Sequence, residues 1–150
     1  MNIRRARTGD IPQLLSLIRR YWDFEGIAGF AALRIELVLK ALLEGPLPRG
    51  SIWVAEAHGT LAGYLIVVHV MSVEHQGLMA EIDEFFVLPE SRAHGIGTQL
   101  LAAAEAELAQ RGCVRLQLQL ALGNRRARAF YERLGFGARP GYELLDKPLG

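Results

Sequence analysis

The apolar residues of this chain repeat with two different periods, and the change falls at Gly45-Pro46-Leu47-Pro48-Arg49-Gly50. Before that break, Leu14, Leu15, Ile18, Tyr21 and Trp22 recur at the three-to-four spacing that lines one face of a helix. Asp10, following Thr8-Gly9, is the expected N-cap, since its carboxylate can accept from free amides of the first turn, and Pro12 is tolerated that early. A second helix is expected over about residues 31–43, with Leu33, Leu37, Leu39 and Leu42 on its buried side. The Gly- and Pro-rich break ends it. After the break the spacing becomes that of strands. Residues 51–57 and 61–71 read as the arms of a hairpin turning at His58-Gly59-Thr60, and a polar loop over 72–78 leads to a strand over 80–87. Residues 95–110 form the clearest helix, with Ile96, Leu100, Leu101, Ala104 and Leu108 as its stripe and Gly112 as its C-terminal cap. A strand over 114–122 and a short helix over 125–134 follow, then two closing strands, 136–138 and 142–147; residues 3–6 form the first strand. This order predicts an α/β fold, with a mixed central sheet covered by helices on both faces. It is read as a single domain over residues 1–150, without linker or repeat.

Composition narrows the function classes. A chain of 150 residues, 51% hydrophobic and 22% charged, can bury a core and is not of the disordered class. A net charge of +1 gives no reason to expect nucleic acid or an anionic membrane as partner. The single cysteine, Cys113, cannot form an internal disulfide, which fits a reducing compartment; it is expected as a core residue opening a strand rather than as a nucleophile. Residues 1–10 lack an apolar signal core and no apolar run approaches a membrane span, so the expected location is cytoplasmic. His58, His69, His75 and His94 show no metal-ligand spacing, so no metal is expected.

One loop carries more specific chemistry. Val87-Leu88-Pro89-Glu90-Ser91-Arg92-Ala93-His94-Gly95-Ile96-Gly97-Thr98 joins a strand to a helix, and a helix N-terminus offers unpaired amides and partial positive charge to a phosphate. Gly95 and Gly97 remove side chains where backbone must approach a ligand, and Arg92 can add charge. The spacing matches neither the dinucleotide fingerprint nor the Gly-Lys-Ser/Thr loop of nucleotide hydrolases. Arg92-x-x-Gly95-x-Gly97 resembles the acyl-CoA signature of the GNAT superfamily of N-acetyltransferases. Downstream, Asn124-x4-Ala129-Phe130-Tyr131-Glu132-Arg133-Leu134-Gly135-Phe136 is similar to that family's second motif, and the order of elements agrees from Ile3 onward. Ala93 and His94 stand where the family often has glycine and a basic residue, which leaves one phosphate-facing charge to His94 and only when it is protonated.

The resemblance implies acetyl-CoA as acetyl donor and a small-molecule or peptide amine as acceptor. Residues 92–98 and Asn124 would hold the cofactor, and exposed amides at Phe86 and Val87 would meet the acetyl carbonyl. Direct transfer needs a neutral amine, and neutralising a group with a pKa of about 10.4 at pH 7 costs roughly 4–5 kcal/mol. A carboxylate on the preceding strand can take that proton. Strand alternation puts Glu81 and Asp83 on one face and Glu84 on the other; the family's base, where present, matches 81 or 83, so Asp83 and then Glu81 are preferred, with Glu84 in reserve. Tyr131 is the implied acid for the departing thiolate. Tyr21, Trp22 and Phe24 are expected mostly in the core, in a region that commonly walls the acceptor site in that family. Arg125, Arg126 and Arg128 read as a solvated helix face. Homodimers are common in the family and are a further expectation. The alternative function is a non-catalytic acyl-CoA-binding regulatory domain of the same fold, which would keep the loop and could lose acid and base.

Overall fold

The computed structural model describes residues 1–45 and 48–150, so Pro46 and Leu47 of the expected break lie outside the described residues. The chain comprises two compact units, Met1–Leu118 and Gln119–Gly150. In the first, five strands form one sheet in the order β1-β2-β3-β4-β5 among the described residues. These are β1 (Asn2–Arg5), β2 (Gly50–Ala57), β3 (Thr60–Ser72), β4 (Gly77–Val87) and β5 (Arg115–Leu118). The first four pair antiparallel, while β4 and β5 run parallel, joined through a helix, so the sheet is mixed as expected.

The helices of this unit are α1 (Ile11–Glu25), α2 (Ala32–Glu44) and α3 (Ile96–Gln110). Strand alternation divides the core into two layers. Ile52, Val54, Tyr64, Ile66 and Phe86 pack with Leu14, Leu17 and Ile18 of α1 and Leu39 of α2. Their alternate neighbours Ala55, Leu65, Val67 and Ala80 are buried on the other face, the side of α3, whose Ile96, Leu100, Leu101, Ala104 and Leu108 are buried as the spacing predicted. Two helices end as the glycine rule requires. Gly26 and Gly112 adopt left-handed backbone, and the following amides of Ile27 and Cys113 reach back to Trp22 and Leu108 carbonyls at 2.8 and 2.9 Å.

Several expectations are corrected. Asp10 does not cap α1 with its side chain; its carboxylate accepts from Arg4 at 2.8 and 2.9 Å and from the Arg7 amide at 2.7 Å. Arg4 also donates to Glu56 at 2.5 Å, and this ion pairing holds the Asp10 carboxyl below its ordinary pKa. On α2, Leu33 and Leu37 are exposed, and the inward face is Ile35, Leu39, Leu42 and Leu43. The four-leucine reading failed because two leucine stripes compete on this helix, and only one reaches the sheet. Phe24 is exposed near the end of α1. Cys113 lies half-buried just before β5 rather than in the core, its thiol 3.3 Å from the Arg115 carbonyl. β5 stops at Leu118 rather than at 122, where its register with β4 ends.

The second unit carries α4 (Arg125–Arg133). Residues 136–138 and 142–147 are not strands. The Phe136 amide instead bonds the Tyr131 carbonyl at 3.0 Å, Gly135 is left-handed, and the Phe136 ring lies 5.4 Å from Tyr131. Phe136 thus serves to terminate α4.

Leu39→Ala should cost about 2–5 kcal/mol in denaturant unfolding, whereas Leu37→Ala should stay within about 0.5 kcal/mol. Equal losses would contradict this orientation of α2.

Candidate active site

The site is built around the end of β4. After Val87 the chain makes a short 3-10 turn at Pro89–Ser91, and Ala93 and Gly95 both take left-handed backbone before α3 begins at Ile96. Gly95 accepts that conformation freely, while an alanine there costs about 1–2 kcal/mol. Because Gly95 is the N-cap, no side chain caps α3, and the amides of Ile96, Gly97 and Thr98 lie in a first turn without intrahelical acceptors. That is chemistry suited to an anion.

Arg92 reaches in a direction its sequence position did not reveal. Its Nε donates to the Val87 carbonyl at 2.9 Å, and its guanidinium lies 5.4 Å from the Phe24 ring and 5.7 Å from the Phe86 ring. Arg20 of α1 pairs with Glu90 at 3.2 Å, a second link between α1 and this loop. His94 is exposed, its ring nitrogen 3.4 Å from the Ser91 carbonyl.

The acidic strand departs from simple alternation. Ile66 pairs with Glu84 but Val67 pairs with Ile82, so Asp83 is an extra residue, a β-bulge. The bulge brings Glu84 to the α1 side. Glu84 therefore does not face away from Glu81: Glu81 pairs with Val68 and Glu84 with Ile66, two positions of the same parity on β3. The Glu84 carboxylate accepts from Trp22 Nε1 at 2.6 Å and from the Tyr64 hydroxyl at 2.9 Å. Burial raises its pKa, the two donors pull it back, and the Asp83 charge raises it again. Asp83 opens to solvent, yet partial desolvation and the charge of Glu81 raise its pKa too. The Tyr21 phenol is pushed up to about 12 by burial and by the charges of Glu25, Glu84 and Asp83.

β4 is paired with β3 along its length, but its ladder with β5 runs only from Met79↔Arg115 to Ile82↔Leu118. Asp83 to Val87, including Phe86 and Val87, continue past the last register pair. Gly63 opposite them is required: a Cβ there would sit 2.9 Å from the Phe86 carbonyl oxygen and 3.3 Å from Val87 Cα.

In the second unit, Asn124 stands six residues beyond the end of β5 and caps α4, its Oδ1 accepting from the Ala127 amide at 3.1 Å. Tyr131 lies between Phe130 and Phe136, with ring separations of 5.3 and 5.4 Å. Tyr64, Gly63 and the bulge were not singled out from sequence, and Trp22 was read as a mostly core residue in a region that walls the family's acceptor site, not as a partner of Glu84. A signal for the bulge was present in Ile82-Asp83-Glu84-Phe85-Phe86, where two polar and then two apolar residues break the alternation.

The sequence profile described as the acetyltransferase (GNAT) family matches residues 11–136, across both units. The chain is 32% identical over 142 residues to an uncharacterized N-acetyltransferase, YhfO, of Bacillus subtilis, covering 95% of this chain and 93% of that one. It is 30% identical over 139 residues to the aminoalkylphosphonate N-acetyltransferase of Salmonella typhimurium, covering 89% and 83%. A predicted acetyltransferase from Clostridium acetobutylicum, solved with acetyl-CoA, superposes with a TM-score of 0.82 at 21% identity, covering 97% and 95%. The chain belongs to the GNAT acetyltransferase family and has its α/β fold. It is an acyltransferase of the N-acetyltransferase class, and its general chemistry is acetyl transfer.

A raised pKa means that Asp83 holds its proton more tightly in the native chain than in the unfolded one. The stability it contributes is full below its ordinary pKa and is lost as pH rises through the raised value. Asp83→Asn should therefore gain more melting temperature over wild type at about pH 8 than at about pH 4. An equal gain at both would show that Asp83 is not desolvated.

Proposed function

We propose that this enzyme moves the acetyl group of acetyl-CoA directly onto a primary amine, in the cytoplasm. The observation that carries the reading is the glycine-capped start of α3, whose first-turn amides follow, after the loop over residues 88–95, on an acid-bearing strand that outruns its parallel neighbour. The helix start suits the pyrophosphate, with residues Arg92, Ala93, His94, Gly95, Ile96, Gly97 and Thr98 in that loop and first turn; Asn124 is assigned to the cofactor from its place in the second family motif. The amides of Phe86 and Val87 serve the acetyl carbonyl, donating to the oxygen as negative charge develops there.

Proton accounting assigns the remaining roles. Asp83 takes the proton of the ammonium, directly or through water; its raised pKa brings it closer to a base suited to neutral pH. Glu81 is the second choice, and Glu84, with both oxygens already accepting hydrogen bonds, the third. The amine nitrogen attacks the thioester carbon, the carbon–sulfur bond breaks, and Tyr131 protonates the thiolate. Tyr131 is supported by its place in the second family motif. No covalent acyl-enzyme is involved in this reading.

The test is thiol release from acetyl-CoA over a panel of amines: an aminoalkylphosphonate, lysine, an aliphatic polyamine, an aminoglycoside and a peptide N-terminus. One panel amine should release thiol and gain an acetyl group on nitrogen; acetylation of none would count against the reading. With that amine, Tyr131→Phe should lower turnover by about a hundredfold or more while acetyl-CoA binding stays near normal. Retention of more than about half the activity would remove Tyr131 as the acid.

A further inference from the structure

The bulge leaves Asp83 without a ladder partner on β3, at the position where the proposed reaction needs a carboxylate in one orientation. A strand interior normally fixes its side chains through the ladder on both sides of each residue. Here that restraint is interrupted, and something else must supply it.

The next residue is held from outside the strand. Trp22 of α1 donates its indole N–H to one Glu84 oxygen at 2.6 Å, and Tyr64 of β3 donates its hydroxyl to the other at 2.9 Å. Both donors are themselves fixed. The Trp22 ring stands edge-on to Phe30 at 5.6 Å, and Tyr64 is fully buried with its ring 6.3 Å from Phe86. A carboxylate gripped at both oxygens by two rigid aromatic donors from two other elements cannot swing, and it pins the backbone of the bulge beside it. Packing alone does not explain the buried Tyr64 hydroxyl, since phenylalanine would fill that ring position without the polar atom that burial penalises.

We propose that Trp22 and Tyr64 are positioning residues that act through Glu84, holding the bulge so that Asp83 keeps the orientation in which it takes the acceptor's proton. This rests on the base assignment made above. Neither aromatic residue touches the reacting atoms in this account.

The test uses the full chain, acetyl-CoA and the panel amine that is turned over fastest. Tyr64→Phe keeps the ring and removes only the hydroxyl donor, whereas Trp22→Phe removes the indole donor and leaves a smaller ring. Each should lower kcat at pH 7 by about tenfold, with the acetyl-CoA KM within about twofold. The loss should shrink as pH rises toward the amine's own pKa, as it should for Asp83→Asn. In an Asp83→Asn background neither substitution should cost anything more. A pH-independent loss, or one that adds to that of Asp83→Asn, would mean a merely structural role and overturn the proposal. If Asp83→Asn itself shows no pH-dependent loss, the base assignment fails first and the positioning role falls with it. If it shows the loss while both aromatic variants behave as wild type, only the positioning role fails. A second readout needs no acceptor: the backbone amide signals of Asp83 and Glu84 should shift or broaden in both variants while those of α3 stay in place. Unchanged Asp83 and Glu84 signals would also overturn the proposal.

Discussion

β4 is held by β3 from Gly77 to Val87 but follows β5 only as far as Ile82, and the site depends on that inequality. A strand paired to the same depth on both edges would have its amides committed to the sheet. Here the antiparallel edge keeps the strand rigid while its C-terminal half runs past its parallel neighbour. Gly63 permits the close approach of β3 at Phe86 and Val87 that makes the rigid edge continuous. The loop that follows then turns through two left-handed residues into α3 and presents the helix start at the end of the same strand.

The acidic residues follow the same logic at a cost in stability. Burial penalises the charged forms of Asp83 and Glu84, and the charge of Glu81 on Asp83 and of Asp83 on Glu84 adds to the penalty. The fold offsets part of it with neutral donors rather than with cations. Trp22 and Tyr64 pull the raised pKa of Glu84 back down as hydrogen-bond donors, without bringing a cation to the acidic strand. Arg92, whose charge lies close by in sequence, is instead set over Phe24 and Phe86 and tied to the Val87 carbonyl. A protein that kept the pKa of a carboxylate high would be expected to keep arginines from pairing with it.

Local pattern made most of the fold legible. The amphipathic stripes of α1 and α3, the hairpin at His58-Gly59 and the glycine loop before α3 were each readable, because each depends on spacing or on one backbone conformation. The misreadings share a different cause. On α2, two leucine stripes satisfy the same period, and only the position of the sheet selects Leu39 over Leu37. Asp10 has the chemistry of a cap, but Arg4 and the Arg7 amide, a few residues upstream, take its oxygens, and a reading of the helix start alone does not weigh those upstream donors. The extra residue at Asp83 reverses the face of Glu84, which no count of alternation anticipates unless the doubled polar and doubled apolar pairs are noticed. Phe136 has the apolar character of a strand residue, yet its amide and ring are used to close α4.

The central claim is that the start of α3 holds the pyrophosphate of acetyl-CoA, and calorimetric titration of acetyl-CoA into wild type and Gly97→Trp tests it most directly. A tryptophan in the first helical turn should block the ligand's approach to the amides of Ile96, Gly97 and Thr98 without touching β4. The account predicts at least about a tenfold weaker association for a variant that remains folded, a loss of about 1.4 kcal/mol or more. An unchanged affinity in the folded variant would contradict it.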